Sequence, residues 1–373
     1  MLSTAVRRAE FIFGCAHIAR LHKGQIEKLA RHLGVTRDSE MRGKLRRRYG
    51  GYTCTLWHSV YAALNGICSV DYLPEDIFFN VFERRLNPRL RRETYRDKNF
   101  YDRLNWPGLP VTVLRVINGD LFDPAYRSID LAAGLALARQ STADELVVKP
   151  SRETRGGFRV AFVPAADLEA VLKPKLTRNS DWIVQEPVRQ HQLMAELNAS
   201  SVNTLRIMTI RLGREVAVVS AFVRIGVNGA RVDNLSAGCI AAGVTLDKAT
   251  GAGRLGVFAC DERLRLHDVH PNHGYHFGSI SLPFFSEARN LCMDLHSVIP
   301  DLGLLSWDIA IDSKGTPSVI EFNISRQEII THQVCNGPVF APYIDRVLGR
   351  YPWITLPALG PLDRLFDIQR AKA

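Results

Sequence analysis

The chain reads as an α+β protein, and three observations predict it. Over residues 1–93 apolar side chains recur at helical spacing, at Ile26, Leu29, Ala30 and Leu33 and again from Ile77 to Leu86. From Lys98 onward the pattern changes to short apolar runs separated by turns. Helical stretches remain mixed among these runs, as expected where many short antiparallel strands share a chain with helices.

Taken in order, Asn87-Pro88 and the basic run Arg89 to Arg92 close the helical segment. Trp106-Pro107-Gly108-Leu109-Pro110 breaks the chain before the strand VTVLRVI (111–117), and Asn118-Gly119 turns it. A helix is predicted from Asp130 to Arg139, and another from Phe284 to Ile299. Between them lie strands at ELVVKP, GFRVAFV, WIVQEPV, TLRIMTIRL and VAVVSAFVRI. The expected division is a helical basic segment over 1–93, α+β portions over 94–184 and 185–350, and a tail over 351–373.

At 373 residues and 46% hydrophobic, the chain is globular, and no run approaches the roughly 18 apolar residues of a membrane span. FIFGCAHIA is too short and polar for a secretory leader. The seven cysteines are scattered without C-x-x-C spacing, which supports neither a disulfide framework nor a zinc site and points to a reducing cytoplasm. Of the net charge of +10, most comes from residues 1–50, which hold twelve Lys/Arg against four Asp/Glu. Arg42, Lys44, Arg46, Arg47 and Arg48 are its densest cluster. Such a cluster is either a solvated helix face or a footprint for an anionic partner, including peripheral contact with the inner face of a membrane. No aromatics interleave it, so nucleic acid is disfavoured. Oligomeric state is not legible.

The stretch 306–323, SWDIAIDSKGTPSVIEFN, reads as a β-hairpin turning at Lys314-Gly315. Glu321 and Asn323 are two apart and leave one face of the second strand, and an antiparallel return brings Asp308 beside them. Two carboxylates and an amide oxygen, with no His or Cys nearby, suit Mg²⁺, although a hairpin with solvated acidic ends has the same pattern. Upstream, VVKP ends a strand at Lys149 and opens onto a loop with Arg155, Gly156 and Gly157, with a strand resuming at Phe158. Bare backbone amides and Arg155 there suit a flap over phosphates, though an ordinary hairpin fits equally. Pro187 ejects the chain from the strand 182–188. If Arg206 points inward beside apolar Leu205 and Ile207, its always-charged fork demands an anionic partner.

In this order the elements resemble the ATP-grasp superfamily, and more closely its sugar-transfer-associated branch, related to α-L-glutamate ligases. The resemblance runs from YLPEDIFFNVFERRLNP (72–88) through RDKNFYDRL, VVKP with its Gly-Gly loop, WIVQEPVRQH, SVNTLRIMT, NLSAG, WDIAI and VIEFN to HQVCNGPVF (332–340). It implies two α+β subdomains, 94–184 and 185–350, clasping ATP behind the helical basic segment. Lys98 and Lys149 match phosphate-contacting lysines, and Arg155, Gly156 and Gly157 fall in the flap. Gln185, Glu186 and Val188 match the hinge that reads adenine, and Asn234 of DNLSAG joins this nucleotide-binding set. Arg206, with Lys149, is expected to meet the transferred group. Asp308, Glu321 and Asn323 match the Mg²⁺ ligands, with Mn²⁺ an acceptable substitute. The flap RETRGG and the helical segment before Lys98 depart from the pattern of many relatives.

The resemblance implies an ATP- and Mg²⁺-dependent carboxylate–amine ligase working through an acyl phosphate. Its substrates would be small-molecule or saccharide-linked carboxylates and amines. A kinase acting on a hydroxyl keeps the same site, and a non-catalytic anion- or membrane-binding scaffold built on the basic helices is the alternative from another class.

Overall fold

The computed structural model describes residues 24–49, 54–152 and 159–349. Contacts divide the chain into two compact units, one of residues up to Pro88 together with those from Ser325, the other Arg89–Ile324.

The first unit is helical, as the spacing predicts. Residues 24–32 form one helix, followed by Ser39–Arg48 and Leu56–Asn65. Asp38 caps the second by accepting from the Met41 amide at 2.9 Å. Arg48 pairs with Asp71 at 3.1 Å and Lys44 with Glu40 at 3.0 Å, so part of the basic cluster is neutralised internally. A further helical run passes from Glu75–Ile77 through a π turn, Phe78–Phe82, into Glu83–Leu86. Helices Ile330–Asn336 and Ala341–Gly349 pack with these. Buried Gln333 donates to Tyr61 Oη at 3.0 Å and to the Leu73 carbonyl at 2.9 Å, and accepts from the Leu73 amide at 2.9 Å. Phe340 meets Phe78 and Phe82 at 5.8 and 5.5 Å between ring centroids. Residues 325–349 thus group with the N-terminal helices. An amphipathic helix declares its apolar face, not the element that covers it.

The second unit contains two antiparallel sheets. The first has the order β2-β1-β5-β3-β4, from β1 (Thr112–Ile117), β2 (Asp120–Phe122), β3 (Leu146–Pro150), β4 (Ala161–Val163) and β5 (Trp182–Gln185). Asn118 and Gly119 both have positive φ, 54° and 90°, and close the two-residue hairpin β1–β2. Helix Leu131–Arg139, capped by Asp130, covers one face with Leu135 and Ala138. Strand β4 begins at Ala161, later than the expected Phe158, which lies outside the described residues. Arg159 there takes a left-handed φ of 66° that strand pairing does not accommodate.

The second sheet runs β10-β9-β8-β7-β6-β12-β13, with β11 on β9. Its strands are β6 (Leu205–Leu212), β7 (Glu215–Ile225), β8 (Ile240–Leu246), β9 (Gly253–Asp261), β10 (Leu266–His267), β11 (Ser281–Leu282), β12 (Leu304–Ile311) and β13 (Pro317–Asn323). Alternation fixes its two faces. Leu205, Ile207, Val223, Ile225, Trp307 and Ile309 join one core with Phe285, Ala288 and Cys292 of helix Phe285–Ser297. At its centre Trp307 Nε1–H donates to Thr209 Oγ1 at 2.8 Å, and Thr209 Oγ1 lies 2.7 Å from His296 Nδ1. His296 Nε2 lies 3.1 Å from the Leu302 carbonyl, which can only accept, so the proton sits on Nε2 and Thr209 donates to Nδ1. The opposite face presents Arg206, Arg224, Asp308 and Glu321.

Candidate active site

On that second face three charged side chains form one row. Asp308 is paired in register with Arg206 of β6 on one side and Glu321 of β13 on the other. A bulge makes this possible. Ile309 opposes Val319 while Asp308 opposes Glu321, so Ile320 is the extra residue. Without it Asp308 would oppose Ile320 and Glu321 would point into the core. Strand β12 starts at Leu304, so Asp308 sits well within the strand. Arg206 grips Asp308 through Nε and through Nη2 at 3.0 Å, which supplies the anion its position demands. Asn323 pairs with Ser306 one step along, its Nδ2 3.5 Å from the Ser306 carbonyl.

Arg224, on β7, stands beside this row. Its Nη2 lies 3.1 Å from Asp308, its Nε 3.3 Å from Asp233, and its Nη1 donates to Asn234 Oδ1 at 3.2 Å. Thr204 Oγ1 accepts from its Nε and Nη2 at 3.1 and 2.7 Å. Asp233 in turn accepts from the Thr204 amide at 2.9 Å. Burial would raise the Asp308 carboxyl, but Arg206 and then Arg224 overcome it and hold it below the ordinary range. Burial opposes the charge on Arg224, yet Asp233, Asp308 and Glu321 raise it further. Asp233 itself is lifted above its usual value, burial outweighing Arg224 and Thr204.

Two lysines reach the same face. Lys98 begins the 3-10 helix Lys98–Leu104, and its Nζ is 3.3 Å from Glu321. Three residues on, Tyr101 packs on Phe322 at 5.0 Å, and Trp106 meets Trp307 and Phe322 at 5.5 and 5.0 Å. This aromatic cluster docks the Lys98 helix on the acidic hairpin. Lys149, at the end of β3, is buried. Burial first and Lys98 second lower its ammonium to about 8, against the smaller pull of Glu321 and Asp308. The base of the predicted flap is tied to the Lys98 turn, with the Lys98 amide donating to the Ser151 carbonyl at 2.9 Å and Arg152 Nε to Asp97 at 2.9 Å.

At the predicted hinge, Gln185 is buried and donates to Thr112 Oγ1 at 3.3 Å. The Glu186 amide donates to the Val111 carbonyl at 2.9 Å, and its carboxylate accepts from Ser141 at 2.6 Å. Val188 is half-buried beyond the strand end. A cavity of about 200 Å³ is lined by Lys98, Gln185, Thr112, Arg115 and Ile320. Arg155, Gly156 and Gly157 lie outside the described residues, as do the tail 351–373 and FIFGCAHIA.

The structure thus brings Lys98, Arg206, Asn234, Asp308, Glu321 and Asn323 to one sheet face, through direct contacts or register pairing. Arg224, Asp233, Asp97 and Arg152 join the site without any motif in the sequence that marks them. The one available signal was Asp233 beside Asn234 in a polar loop. Among the described residues, the cations Lys98, Lys149, Arg206 and Arg224 surround the carboxylates Asp308, Glu321 and Asp233, a balance that favours an anionic ligand. Among the described residues no three His, Cys, Asp or Glu side chains cluster for a metal. An all-oxygen set of two carboxylates and an amide fits a hard cation that keeps other oxygens from water or ligand. No described helix is long and apolar enough to cross a membrane.

Several solved structures resemble the chain at low identity. A D-Ala:D-Ser ligase from Enterococcus faecalis is 10% identical, with 68% of this chain and 60% of that chain covered and a TM-score of 0.38. For an L-amino acid ligase from Bacillus licheniformis the values are 14%, 67%, 44% and 0.37. For N5-carboxyaminoimidazole ribonucleotide synthetase from Thermotoga maritima they are 12%, 70%, 51% and 0.39. The chain spans from 44% to 60% of the length of these proteins. No curated protein matches the sequence. A family model described as sugar-transfer associated ATP-grasp matches residues 78–348. The paired antiparallel sheets are those of an ATP-grasp fold, and the chain belongs to the sugar-transfer associated ATP-grasp family.

Proposed function

We propose that the protein is an ATP- and Mg²⁺-dependent carboxylate–amine ligase that works through an acyl phosphate. The observation that carries this reading is the row Arg206–Asp308–Glu321–Lys98 on one sheet face, with Lys149 buried within reach of their charges. Asp308, Glu321 and Asn323 would hold Mg²⁺, which when bound neutralises phosphate charge and polarises the transferring group. Lys98 and Lys149 hold the phosphates as point charges from rigid positions. Gln185, Glu186 and Val188 line the base, and Asn234 holds Arg224 toward the reacting end. We also assign Arg155, Gly156 and Gly157, which lie outside the described residues, to phosphate binding, on the family resemblance alone.

A substrate carboxylate oxygen attacks the γ-phosphorus and ADP leaves with the bridging electrons. An amine then attacks the acyl carbon, inorganic phosphate departs, and the amine proton passes to solvent. Arg206 and Arg224 stabilise charge on the phosphoryl group as it moves, so the chemistry is positioning and electrostatics. The substrates we assign are a small-molecule or saccharide-linked carboxylate and an amine.

The test is ADP release across carboxylate and amine panels, with mass spectrometry of the product. A ligase releases phosphate only when both substrates are present. A phosphorylated hydroxyl formed without an amine would replace this reading with a kinase.

A further inference from the structure

Arg206 and Arg224 both reach Asp308, but they are held differently. Each nitrogen of Arg224 has an acceptor besides Asp308: Thr204 for Nε and Nη2, Asp233 for Nε, and Asn234 for Nη1. Arg206 is paired, among the described residues, with Asp308 alone, its fork covering both carboxylate oxygens. It is also the more exposed of the two, 14% against 9%. A guanidinium fork takes one lone pair of each carboxylate oxygen, and its positive charge repels an approaching cation. Removing Arg206 from Asp308 leaves the buried carboxylate still paired with anchored Arg224. Arg206, once released, needs another anion, because its charge cannot be discharged by deprotonation.

Resting on the reading above, we infer that Arg206 is an internal counter-ion that caps Asp308 until a polyphosphate draws it away. Divalent cation and nucleotide then bind with strong mutual dependence, and the cation alone binds poorly. Only a ligand offering Arg206 anionic oxygens distinguishes the two arrangements, so neutral nucleosides do not open the metal position. Arg224, fixed by Asp233, Thr204 and Asn234, does not take part in the exchange.

The probe is Mn²⁺, titrated onto the full chain by electron paramagnetic resonance with and without a non-hydrolysable ATP analogue. In the unaltered protein Mn²⁺ alone should bind at least about tenfold more weakly than with the analogue. In Arg206→Gln, analogue-free Mn²⁺ binding should tighten about tenfold and its dependence on the analogue should shrink. Equal or weaker analogue-free binding in Arg206→Gln overturns the inference. So does a coupling factor near one in the unaltered protein, which needs no variant to fold. Asp308→Asn separates the two levels. If it keeps the analogue-dependent Mn²⁺ site, the functional reading falls and this inference with it. If it loses that site while Arg206→Gln behaves as wild type, the inference alone falls.

Discussion

Replacing Lys149 with methionine should make the protein more stable at neutral pH while weakening its hold on nucleotide. The native ammonium titrates at about 8 instead of 10.5, chiefly because it is buried and secondly because Lys98 is near. Below about pH 8 the lysine is charged in both states, and the native state bears the whole cost of burying it. Between about 8 and 10.5 the native lysine loses its proton while the unfolded one keeps it, so stability rises with pH. Above 10.5 the cost is gone. The gap corresponds to about 3 kcal/mol, the upper limit of what Lys149→Met recovers at pH 7. Urea denaturation at pH 7 and pH 10 reads it directly. The variant should gain at pH 7 and lose most of that advantage by pH 10, where the wild type has caught up. Phosphates near Lys149 favour its charged form, so wild-type nucleotide binding should take up a proton above pH 8 and weaken as pH rises. Calorimetry in buffers of different ionisation enthalpy detects that proton. A variant that is less stable at pH 7, by an amount independent of pH, would refute the reasoning.

Other perturbations test the scaffold and the site separately. Glu321→Gln keeps the side chain's shape but removes the Lys98 partner and a proposed metal ligand, and calorimetry should show Mg²⁺-dependent nucleotide binding lost with the fold intact. Gly108→Ala should destabilise by about 2 kcal/mol or more, because φ is 70° and a Cβ would sit 2.4 Å from the Pro317 carbonyl oxygen. Thermal unfolding measures it. Thr209→Val leaves Trp307 Nε1–H and His296 Nδ1 without their shared partner in a dry core, a loss of about 2 kcal/mol in the same assay.

Much of this architecture is written locally. Asn118-Gly119 specifies its hairpin because both positions need positive φ, and Asp130 starts its helix by capping the Ala133 amide. The need of Arg206 for an anion was legible between Leu205 and Ile207, but the identity of that anion, Asp308 on the neighbouring strand, was not. The acidic hairpin was legible from the two-residue spacing of Glu321 and Asn323, but the reason Asp308 meets Glu321 was not. That depends on a bulge at Ile320, and nothing in an apolar run marks which residue will be extra. The Arg224–Asp233 pairing and the Arg152–Asp97 tie join residues nine and fifty-five positions apart, contacts that only tertiary packing creates. The packing of 325–349 with the N-terminal helices is of the same kind.

Central to the proposed function is a cation shared by Asp308, Glu321 and Asn323 opposite Lys98 and Lys149. Diffraction from crystals grown with Mn²⁺ and a non-hydrolysable ATP analogue tests that claim most directly. The anomalous signal of manganese should lie among those three oxygens and the analogue's phosphates, with both lysine ammoniums on the phosphates. Manganese elsewhere, or phosphates seated away from Lys98 and Lys149, would contradict it.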